Sequence, residues 1–560
     1  MRINKKFARK VISASPFLLV PFFLTACGSS DSDPIPAQLT CVSGESGTSA
    51  AGKNAAPQTM PSLHTWSGGS GTFSIKSKRI VIDANASVKL ADMADRFAGQ
   101  LKVVTGILPS VAKGAAIAPG DIALSMSSCS SADAGQIGSE GYKLSVQDAV
   151  TIRANTENGI FYGTQSVLQM LSLDGNAVGQ HVNLSKGIAL DYPQLGDRSL
   201  SLDVARKFAS VEFLKSYIEF MGAYKMNELH LHLSDQISDA SGNYVLRTFR
   251  LKSSNPAFNN PVSSDGLYYS QNDWASLEAT AAANGVKIVP EFDTPGHAGA
   301  LVIARPDLAY KGDGGTLDPV NPATLVYVKS VFDEFLPWFK SGIVHIGGDE
   351  VNVNGGSVTA QQQISYLNSL GSYLESEGKT VQFWGDEQVA MAGGLKRSFV
   401  AQRWMAVSPD NSLYAYFGPL ANFDWSAYVD KWIESAAEWY VVPFQGLYRG
   451  SLAGTDVYSG WYGVSTTTPK AAGGQISVWN DCAIAGSPYC HSNPAYSWES
   501  DIHAAIKESI PGAGQTFWAG QIKDSSGNLV PYSQFQTTIA SYQYGPGNAQ
   551  LLSGVALSGN

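Results

Sequence analysis

Residues 187–525 alternate between short apolar segments and longer amphipathic ones, and this rhythm constrains the fold more than any other feature. In the first amphipathic segment, Ser210 is a candidate helix N-cap before an apolar stripe from Val211 to Met221. Repeated strand–helix units predict an α/β (β/α)8 TIM barrel, with a doubly wound open sheet as the alternative. The predicted strands are 198–204, 227–233, 286–292, 342–347, 380–384, 399–404, 438–444 and 474–479.

The flanking sequence predicts further segments around this barrel. Residues 58–186 combine strand-like alternation with two amphipathic helices, one of them ending at Gly106, and predict a small N-terminal α/β domain. Residues 27–57 are rich in Ser, Gly, Ala and Pro and predict a flexible tether, and the polar residues 526–560 predict a C-terminal tail. No glycine-rich phosphate-binding motif follows a predicted strand, so we expect no cofactor.

Residues 1–26 have the features of an export signal. The first ten include five basic residues, and the apolar stretch that follows is too short for a confident membrane span. It ends in LTAC, which resembles a bacterial lipoprotein signal and implies lipid attachment to Cys27; a plain secretory signal is the alternative. We therefore expect a lipid-anchored protein of the bacterial cell envelope, facing the periplasm or the surface. The lack of Asp after Cys27 favours the outer membrane, if one exists.

The net charge argues against one class of partner, and the cysteine spacing predicts disulfides rather than a zinc site. The chain has 47 acidic and 38 basic residues, a formal charge of −9, which argues against nucleic acid. In an oxidising compartment Cys482 and Cys490 would close a local disulfide and leave Cys41 with Cys129. These spacings fit no zinc motif.

Polar and aromatic residues collect at the carboxyl ends of the predicted strands, where TIM barrels have their active sites. One such residue alone would suggest a core tryptophan or a helix-capping aspartate. Several such residues at equivalent strand ends predict a shared pocket. They are Asp235, Asp293, His297, Asp349, Glu350, Trp384, Trp404 and Trp479.

Two chemistries suit such a pocket, and the first is metal-assisted hydrolysis. His230 and His232 lie two apart on a predicted strand and therefore face the same side, where Asp235 and His297 could join them. The pair precedes the strand end, where hydrogen-bonded core histidines are more common. We therefore predict no metal.

The second chemistry is glycosidic bond cleavage, which needs a proton donor and a group that stabilises an oxocarbenium-like centre. The adjacent Asp349 and Glu350 point in different directions and are poorly placed to act from opposite sides of a sugar. We expect Glu350 to be the acid, with its pKa raised by partial burial and by the neighbouring charge. We expect Asp349 to orient a substrate group that attacks the sugar.

HIGGDEV resembles the signature of glycoside hydrolase family 20, the β-N-acetylhexosaminidases. Further resemblances occur in family order along the predicted barrel, and the preceding segment resembles the small α/β domain of that family. The matching segments are DYPQLGDRSLSLDVARKF, KMNELHLHLSD, GVKIVPEFDTPGHA, LDPVNPAT, VQFWGDE, AQRW and GGQISVWND.

The resemblance implies that the substrate's 2-acetamido group attacks the anomeric carbon of a glycan-terminal N-acetylhexosamine. Asp349 would polarise that group, and Glu350 would protonate the leaving oxygen. His297 would support Glu350, with Asp235 or Asp293, and Arg198 would bind sugar hydroxyls. The implied aromatic cage consists of Trp384, Trp404 and Trp479.

The sequence departs from the family where the far end of the sugar is recognised. The family commonly has Tyr-x-Asp after strand seven. Here Tyr448 follows the predicted strand seven, but the aspartate is missing. Tyr428 and Asp430 have the Tyr-x-Asp spacing but lie in a predicted helix. The usual Trp-x-Glu is Trp479-Asn480-Asp481. These changes leave open a lacto-N-biosidase-like enzyme that releases a disaccharide. A catalytically inactive sugar-binding surface protein is the non-enzymatic alternative.

Overall fold

The computed structural model describes residues 54–76, 79–127, 130–172, 182–351, 358–407, 413, 423–445, 447–460, 471–483, 490, 498–524, 526–542 and 545. The predicted leader, Cys27, most of the tether, Cys41 and Cys129 lie outside these ranges. Within them, no helix combines the length and apolarity needed to cross a membrane.

The N-terminal domain is a seven-stranded sheet with the strand order β1-β7-β5-β6-β4-β2-β3. Its strands are β1 Ser67–Ser74, β2 Arg79–Ile82, β3 Ser110–Lys113, β4 Ile122–Ser125, β5 Tyr142–Val146, β6 Val150–Ala154 and β7 Asn183–Asp191. Its helices are α1 Val88–Thr105, α2 Ser131–Ile137 and α3 Glu157–Ser172. The α1 helix ends at Gly106, as predicted, because this residue adopts a φ of 74°. The β7 strand crosses the predicted boundary at residue 186, so this sheet extends to Asp191.

The second domain is a closed parallel barrel, as predicted. Eight strands form it, and pairing of the seventh with the eighth and of the eighth with the first closes the ring. In chain order they are β8 Asp197–Asp203, β9 Glu228–His232, β12 Lys287–Glu291, β13 Ile343–His345, β14 Thr380–Gly385, β15 Val400–Arg403, β16 Lys431–Glu434 and β18 Gly473–Val478. Outside the ring lie a hairpin of β10 Ser234–Ser238 and β11 Tyr244–Phe249, and the short β17 Tyr440–Val441, which pairs with β18.

Ten helices are described after the first barrel strand. Ser210 accepts a hydrogen bond from the amide of Phe213 and begins the first of them, as predicted. Ser270 and Thr359 form capping boxes at two others. The helices are α4 Val211–Ala223, α5 Gln271–Ala283, α6 Gly299–Ala304, α7 Pro322–Phe335, α8 Ala360–Ser376, α9 Glu387–Ala392, α10 Gly454–Ser459, α11 Trp498–Ile506, α12 Ser509–Trp518 and α13 Gln536–Tyr542.

The seventh barrel strand differs from the prediction. It is β16, in a segment whose sequence predicted a helix, whereas 438–444 contains only the two-residue β17. Pairing with β15 on one side and β18 on the other satisfies the backbone of β16 and overrides its local helical pattern.

Two further details concern the second half of the chain. The predicted tail contains α13, in which the Tyr542 hydroxyl donates a 2.9 Å hydrogen bond to Gln165 of α3, so this part packs on the N-terminal domain. Cys482 and Cys490 form the expected local disulfide, with their Cα atoms 5.3 Å apart.

Candidate active site

A cavity of about 300 Å³ opens at the carboxyl ends of the barrel strands. It gathers polar and aromatic side chains from the loops after nearly every strand, as the sequence predicted. Its lining residues are Arg206, His232, Asp235, Asp293, His297, Asp349, Glu350, Trp384, Trp404, Tyr440, Val442, Gln445, Leu447, Tyr448, Trp479 and Asp481.

The two adjacent acids diverge because the backbone before them turns sharply. After β13 ends, Gly347 and Gly348 adopt φ values of 72° and 104°, and Glu350 itself has a φ of 50°. The Gly348 amide donates a 3.0 Å hydrogen bond to Oδ1 of Asp293, which fixes the turn against the loop after β12. This strained geometry points Asp349 and Glu350 into different parts of the cavity.

Asp349 is the more buried of the two acids. Its Oδ1 is buried and has no hydrogen-bond partner within the described ranges. Burial raises the pKa of Asp349 to about 6; the charge of Glu350 adds to this shift, while His297 and a hydrogen bond with Asp293 oppose it. Burial and the charge of Asp349 also raise the pKa of Asp293 well above its usual value. Asp349 therefore keeps one free acceptor oxygen beside Asp293.

Glu350 occupies the open side, with 46% of its side chain exposed. Its Oε2 lies 3.4 Å from Nε2 of His297, whose Nδ1 lies 3.0 Å from Oδ1 of Asp235. The hydrogen bond with His297 holds the pKa of Glu350 below its usual value. The predicted upward shift is therefore wrong for the open site, because the nearest charge is the imidazolium and solvent reaches the carboxyl.

His297 links Glu350 to a buried charge cluster. Burial alone would lower the pKa of His297, but the charges of Asp235 and Asp293 raise it well above its usual value. The other oxygen of Asp235 lies 2.8 Å from Nη2 of Arg206 and 2.6 Å from Nε2 of His232. Asp235 therefore has no free oxygen and acts as the hub of this cluster.

Arg198 does not lie in the cavity, which corrects the prediction that it binds sugar hydroxyls. It stands at the start of β8, at the opposite end of the barrel, fully buried against Glu140 and Trp518. Arg206 lines the cavity instead, three residues beyond the end of β8, and its guanidinium also lies 2.9 Å from Asp203. Loops after the carboxyl ends of strands build such sites, so the position of Arg206 already carried the signal.

Aromatic rings form one wall of the cavity. The rings of Trp384 and Trp479 are 5.4 Å apart, and Tyr440 follows at 5.8 Å from Trp479. Trp404 also lines the cavity, as predicted. Tyr440 could not be predicted as a site residue from the sequence. The β17 strand places it directly beside Trp479, and the register of this short strand is set by pairing rather than by local pattern.

Of the residues that depart from the family pattern, some line the cavity and one lies away from it. Tyr448 and Asp481 line the cavity, and Oδ1 of Asp481 lies 4.0 Å from Arg206. Tyr428 instead stacks on Phe423 before β16, remote from the carboxyl end of that strand. Of the two tyrosines considered, Tyr448 is therefore the one in the site.

The histidines of β9 belong to a cluster that extends from His232, in the cavity lining, into the barrel interior. Nδ1 of His232 lies 2.6 Å from Glu291, which also stands 3.0 Å from His230 and 3.1 Å from His345. Glu291 is close enough to His230 and His345, and also to His232 and Asp293, for either group of three to hold a metal ion. The carboxylate of Glu291 thus faces all three imidazoles, although Nε2 of His230 makes no hydrogen bond among the described residues.

Family models match both domains of the chain. The model for the catalytic domain of glycosyl hydrolase family 20 matches residues 197–417, and the model for domain 2 of the same family matches residues 56–192. The first match begins with β8 and includes the barrel strands as far as β15, and the second match includes the N-terminal sheet.

Curated relatives match this chain over part of their own length. A lacto-N-biosidase from Bifidobacterium bifidum is 24% identical over 83% of this chain and 40% of its own length. A beta-hexosaminidase from Akkermansia muciniphila is 28% identical over 44% of this chain and 55% of its own. A beta-hexosaminidase subunit A2 from Dictyostelium discoideum is 30% identical over 48% and 51%. The chain thus spans about half the length of these relatives.

Solved structures share the architecture. A mutant Streptomyces plicatus beta-hexosaminidase in complex with GlcNAc superposes with a TM-score of 0.67 at 21% identity, covering 90% of this chain and 97% of that one. A Flavobacterium johnsoniae chitobiase gives 0.67 at 20% identity, covering 90% and 73%. These likenesses establish the fold, and the two consecutive matches to models of a single family establish that the chain belongs to glycosyl hydrolase family 20.

Proposed function

We propose that this protein is a retaining exo-β-N-acetylhexosaminidase that removes terminal β-linked GlcNAc or GalNAc from glycans. The observation that carries the proposal is the division of labour between two adjacent acids. Glu350 is half exposed and paired with His297, whereas Asp349 keeps a buried free oxygen beside the aromatic wall. One acid is placed for proton transfer and the other for holding a polar substrate group.

In the first step, the 2-acetamido oxygen of the substrate attacks the anomeric carbon while the glycosidic C–O bond breaks. Asp349 accepts a hydrogen bond from the acetamido N–H, and Glu350 gives its proton to the leaving oxygen. In the second step, water attacks the anomeric carbon, Glu350 takes a proton from it, and the cyclic intermediate reopens. Two displacements at one carbon retain the configuration.

Substrate binding would supply the protonated Glu350 that the first step needs. In the open site the carboxyl is exposed and its pKa is held down by His297. A sugar that covers Glu350 excludes water and disfavours the charged form, which raises the pKa of the carboxyl towards working pH. The aromatic wall would confine the acetamido group close to the carbon that it attacks.

Two other cavity carboxylates, Asp235 and Asp293, are less suited to attack the sugar. Asp235 is engaged by Arg206, His232 and His297, and Asp293 is buried and accepts a hydrogen bond from the Gly348 amide. The names of the Akkermansia muciniphila and Dictyostelium discoideum relatives, both beta-hexosaminidases, support the same substrate class. The cavity volume of about 300 Å³ lies at the small end of ligand sites, which suits one sugar unit.

Leaving-group dependence tests the two assigned roles. Wild type should hydrolyse 4-nitrophenyl β-GlcNAc and chitobiose, with the first product retaining the β configuration by NMR. Glu350→Gln should lose about 10²- to 10⁴-fold on chitobiose and less on the nitrophenyl substrate, since nitrophenolate leaves without a proton. Asp349→Asn should lose rate equally on both. Equal turnover by wild type and Glu350→Gln on chitobiose would remove the assigned acid.

The same assay separates the two alternatives. If wild type leaves both GlcNAc substrates intact but releases lacto-N-biose from a nitrophenyl lacto-N-bioside, the enzyme releases disaccharides. If it cleaves none of them but binds GlcNAc-terminated glycans, the protein is a sugar-binding barrel.

We further propose that the mature protein is anchored to the cell envelope by lipid on Cys27. The support is the basic start, the apolar stretch and the LTAC sequence. Expressed in a bacterium with its leader, the wild type should enter the detergent phase of a Triton X-114 partition, and Cys27→Ser should stay in the aqueous phase. Aqueous partitioning of both would refute the anchor.

A further inference from the structure

Glu291, at the end of β12, uses its two oxygens for two different parts of the site. Oε2 lies 2.6 Å from Nδ1 of His232, the inner end of the chain that runs through Asp235 and His297 to Glu350. Oε1 accepts a 2.6 Å hydrogen bond from the indole Nε1 of Trp384, in the aromatic wall. Glu291 does not line the cavity itself.

The short distances determine the protonation of His232. Both of its ring nitrogens stand 2.6 Å from carboxylate oxygens, those of Asp235 and Glu291. Ionised carboxylates only accept hydrogen bonds, so both nitrogens donate and the ring is an imidazolium. Glu291 is correspondingly ionised: burial would raise its pKa, but the charge of His232 holds it well below the usual value.

A fully buried carboxylate is costly, and an apolar side chain could fill the same volume. Glu291 hydrogen-bonds both to the proton-transfer chain, through His232, and to the aromatic wall, through Trp384. The indole of Trp384 could face the cavity in other rotamers, and its hydrogen bond to Glu291 selects one of them.

We propose that Glu291 is a positioning residue that fixes the indole of Trp384 and thereby sets which N-acyl groups the site accepts. This inference rests on the proposed function and extends it to a residue that substrate never touches. A wall held by a charge-assisted hydrogen bond stays close to the acetamido methyl group. A wall released from that bond can retreat and admit a larger acyl group.

Glu291→Gln separates the two oxygens, because an amide offers one acceptor where the carboxylate offered two. The amide oxygen can accept a hydrogen bond from the Trp384 indole or from the His232 imidazolium, but not from both. The amide NH2 group then faces the other N–H group, and two donors form no hydrogen bond with each other unless His232 loses a proton. Either arrangement weakens the hold on one part of the site at nearly constant volume.

The experiment compares 4-nitrophenyl β-glucosaminides that carry N-acetyl or N-propionyl groups. In wild type, the extra methylene should lower kcat/KM by about 10- to 200-fold, as is common in a tight apolar pocket. In Glu291→Gln, kcat/KM for the acetyl substrate should fall by about tenfold or more, and the acetyl/propionyl ratio should shrink several-fold. Glu291→Asp, one methylene shorter, should shrink the ratio too and serves if the amide variant does not fold.

Glu228→Gln is the matched control. Glu228 is equally buried in the barrel interior, on the same strand as His232, but at the other end of the barrel beside Lys287. Its replacement should leave the acetyl/propionyl ratio unchanged. Trp384→Phe combined with Glu291→Gln should lose little more than the worse single variant, since both remove the same hydrogen bond.

Three outcomes separate this inference from the proposed function. If wild type hydrolyses neither substrate, the proposed function fails. If wild type is active but Glu291→Gln and Glu291→Asp keep the wild-type acetyl/propionyl ratio, Glu291 is purely structural and the inference is wrong. If the losses from Trp384→Phe and Glu291→Gln simply multiply, Glu291 does not act through the indole and the inference is also wrong.

Discussion

A side chain on Gly347 would occupy the space that the Asp293 carboxylate already fills. A Cβ added to Gly347 would overlap Oδ1 of Asp293, the oxygen that accepts the amide hydrogen of Gly348. The turn that separates Asp349 from Glu350 therefore depends on two properties of one glycine, its φ of 72° and its lack of a side chain.

We expect Gly347→Ala to abolish most activity by pushing Asp293 away from Asp349. Gly342→Ala is the matched control, because Gly342 has a similar φ of 74° and no atom within 4 Å of its Cβ position. Both variants should lose about 1–2 kcal/mol of stability from the positive φ. Activity should fall in the first variant alone, as measured by kcat/KM at a temperature where both are folded. Equal activity of the two would show that the steric overlap is relieved without moving the acids.

The two arginines of the DRSLSLDVARKF segment should have separable roles. Arg206→Lys should lower kcat/KM by about tenfold or more, because one ammonium cannot bridge Asp203 and Asp235 as the planar guanidinium does. Arg198→Lys should lower the thermal unfolding temperature with KM unchanged, since Arg198 binds Glu140 and backbone carbonyls far from the cavity. A raised KM in Arg198→Lys with intact Arg206 would contradict this assignment.

The same pair shows what the sequence could reveal. Motif order placed the barrel, the acids and three tryptophans correctly, because strand ends of a parallel barrel converge whatever the loops do. Arg198 was predicted instead of Arg206 because the resemblance identified the segment that contains both arginines, and not the position in that segment that faces the cavity. The direction of the Glu350 pKa shift could not be predicted, since it depends on the 3.4 Å approach of His297, which lies in the loop after β12. The seventh strand was missed because pairing, not local pattern, makes it a strand.

The pKa of about 6 for Asp349 predicts an acid limb in the pH profile. Protonated Asp349 cannot accept the acetamido N–H with full charge. On 4-nitrophenyl β-GlcNAc, whose leaving group needs no proton from Glu350, kcat/KM should therefore fall as pH drops below about 6 and level off above it. The pH dependence of kcat/KM reports groups of the free enzyme, where this value applies. In the residual activity of Asp349→Asn the limb near pH 6 should disappear. A limb that persists there belongs to another group.

Glu387, at the start of α9, should make the fold less stable in alkali. It is fully buried, and neither carboxylate oxygen has a hydrogen-bond partner within the described ranges. Burial raises its pKa to about 8, against 4.5 for an ordinary glutamate. The folded state therefore binds a proton that the unfolded state releases between these values, and stability is lost as pH rises from 4.5 towards 8.

Glu387→Gln removes this titration at nearly constant volume. Each pKa unit corresponds to about 1.4 kcal/mol, so the variant should gain a few kcal/mol over wild type between pH 5 and pH 8. Thermal unfolding monitored by circular dichroism at both pH values measures the difference. Glu377→Gln, an exposed glutamate at the end of α8, controls for the loss of one charge and should run parallel to wild type. If Glu387→Gln also runs parallel, the buried carboxyl is ionised at pH 8 without penalty, and a partner must neutralise it.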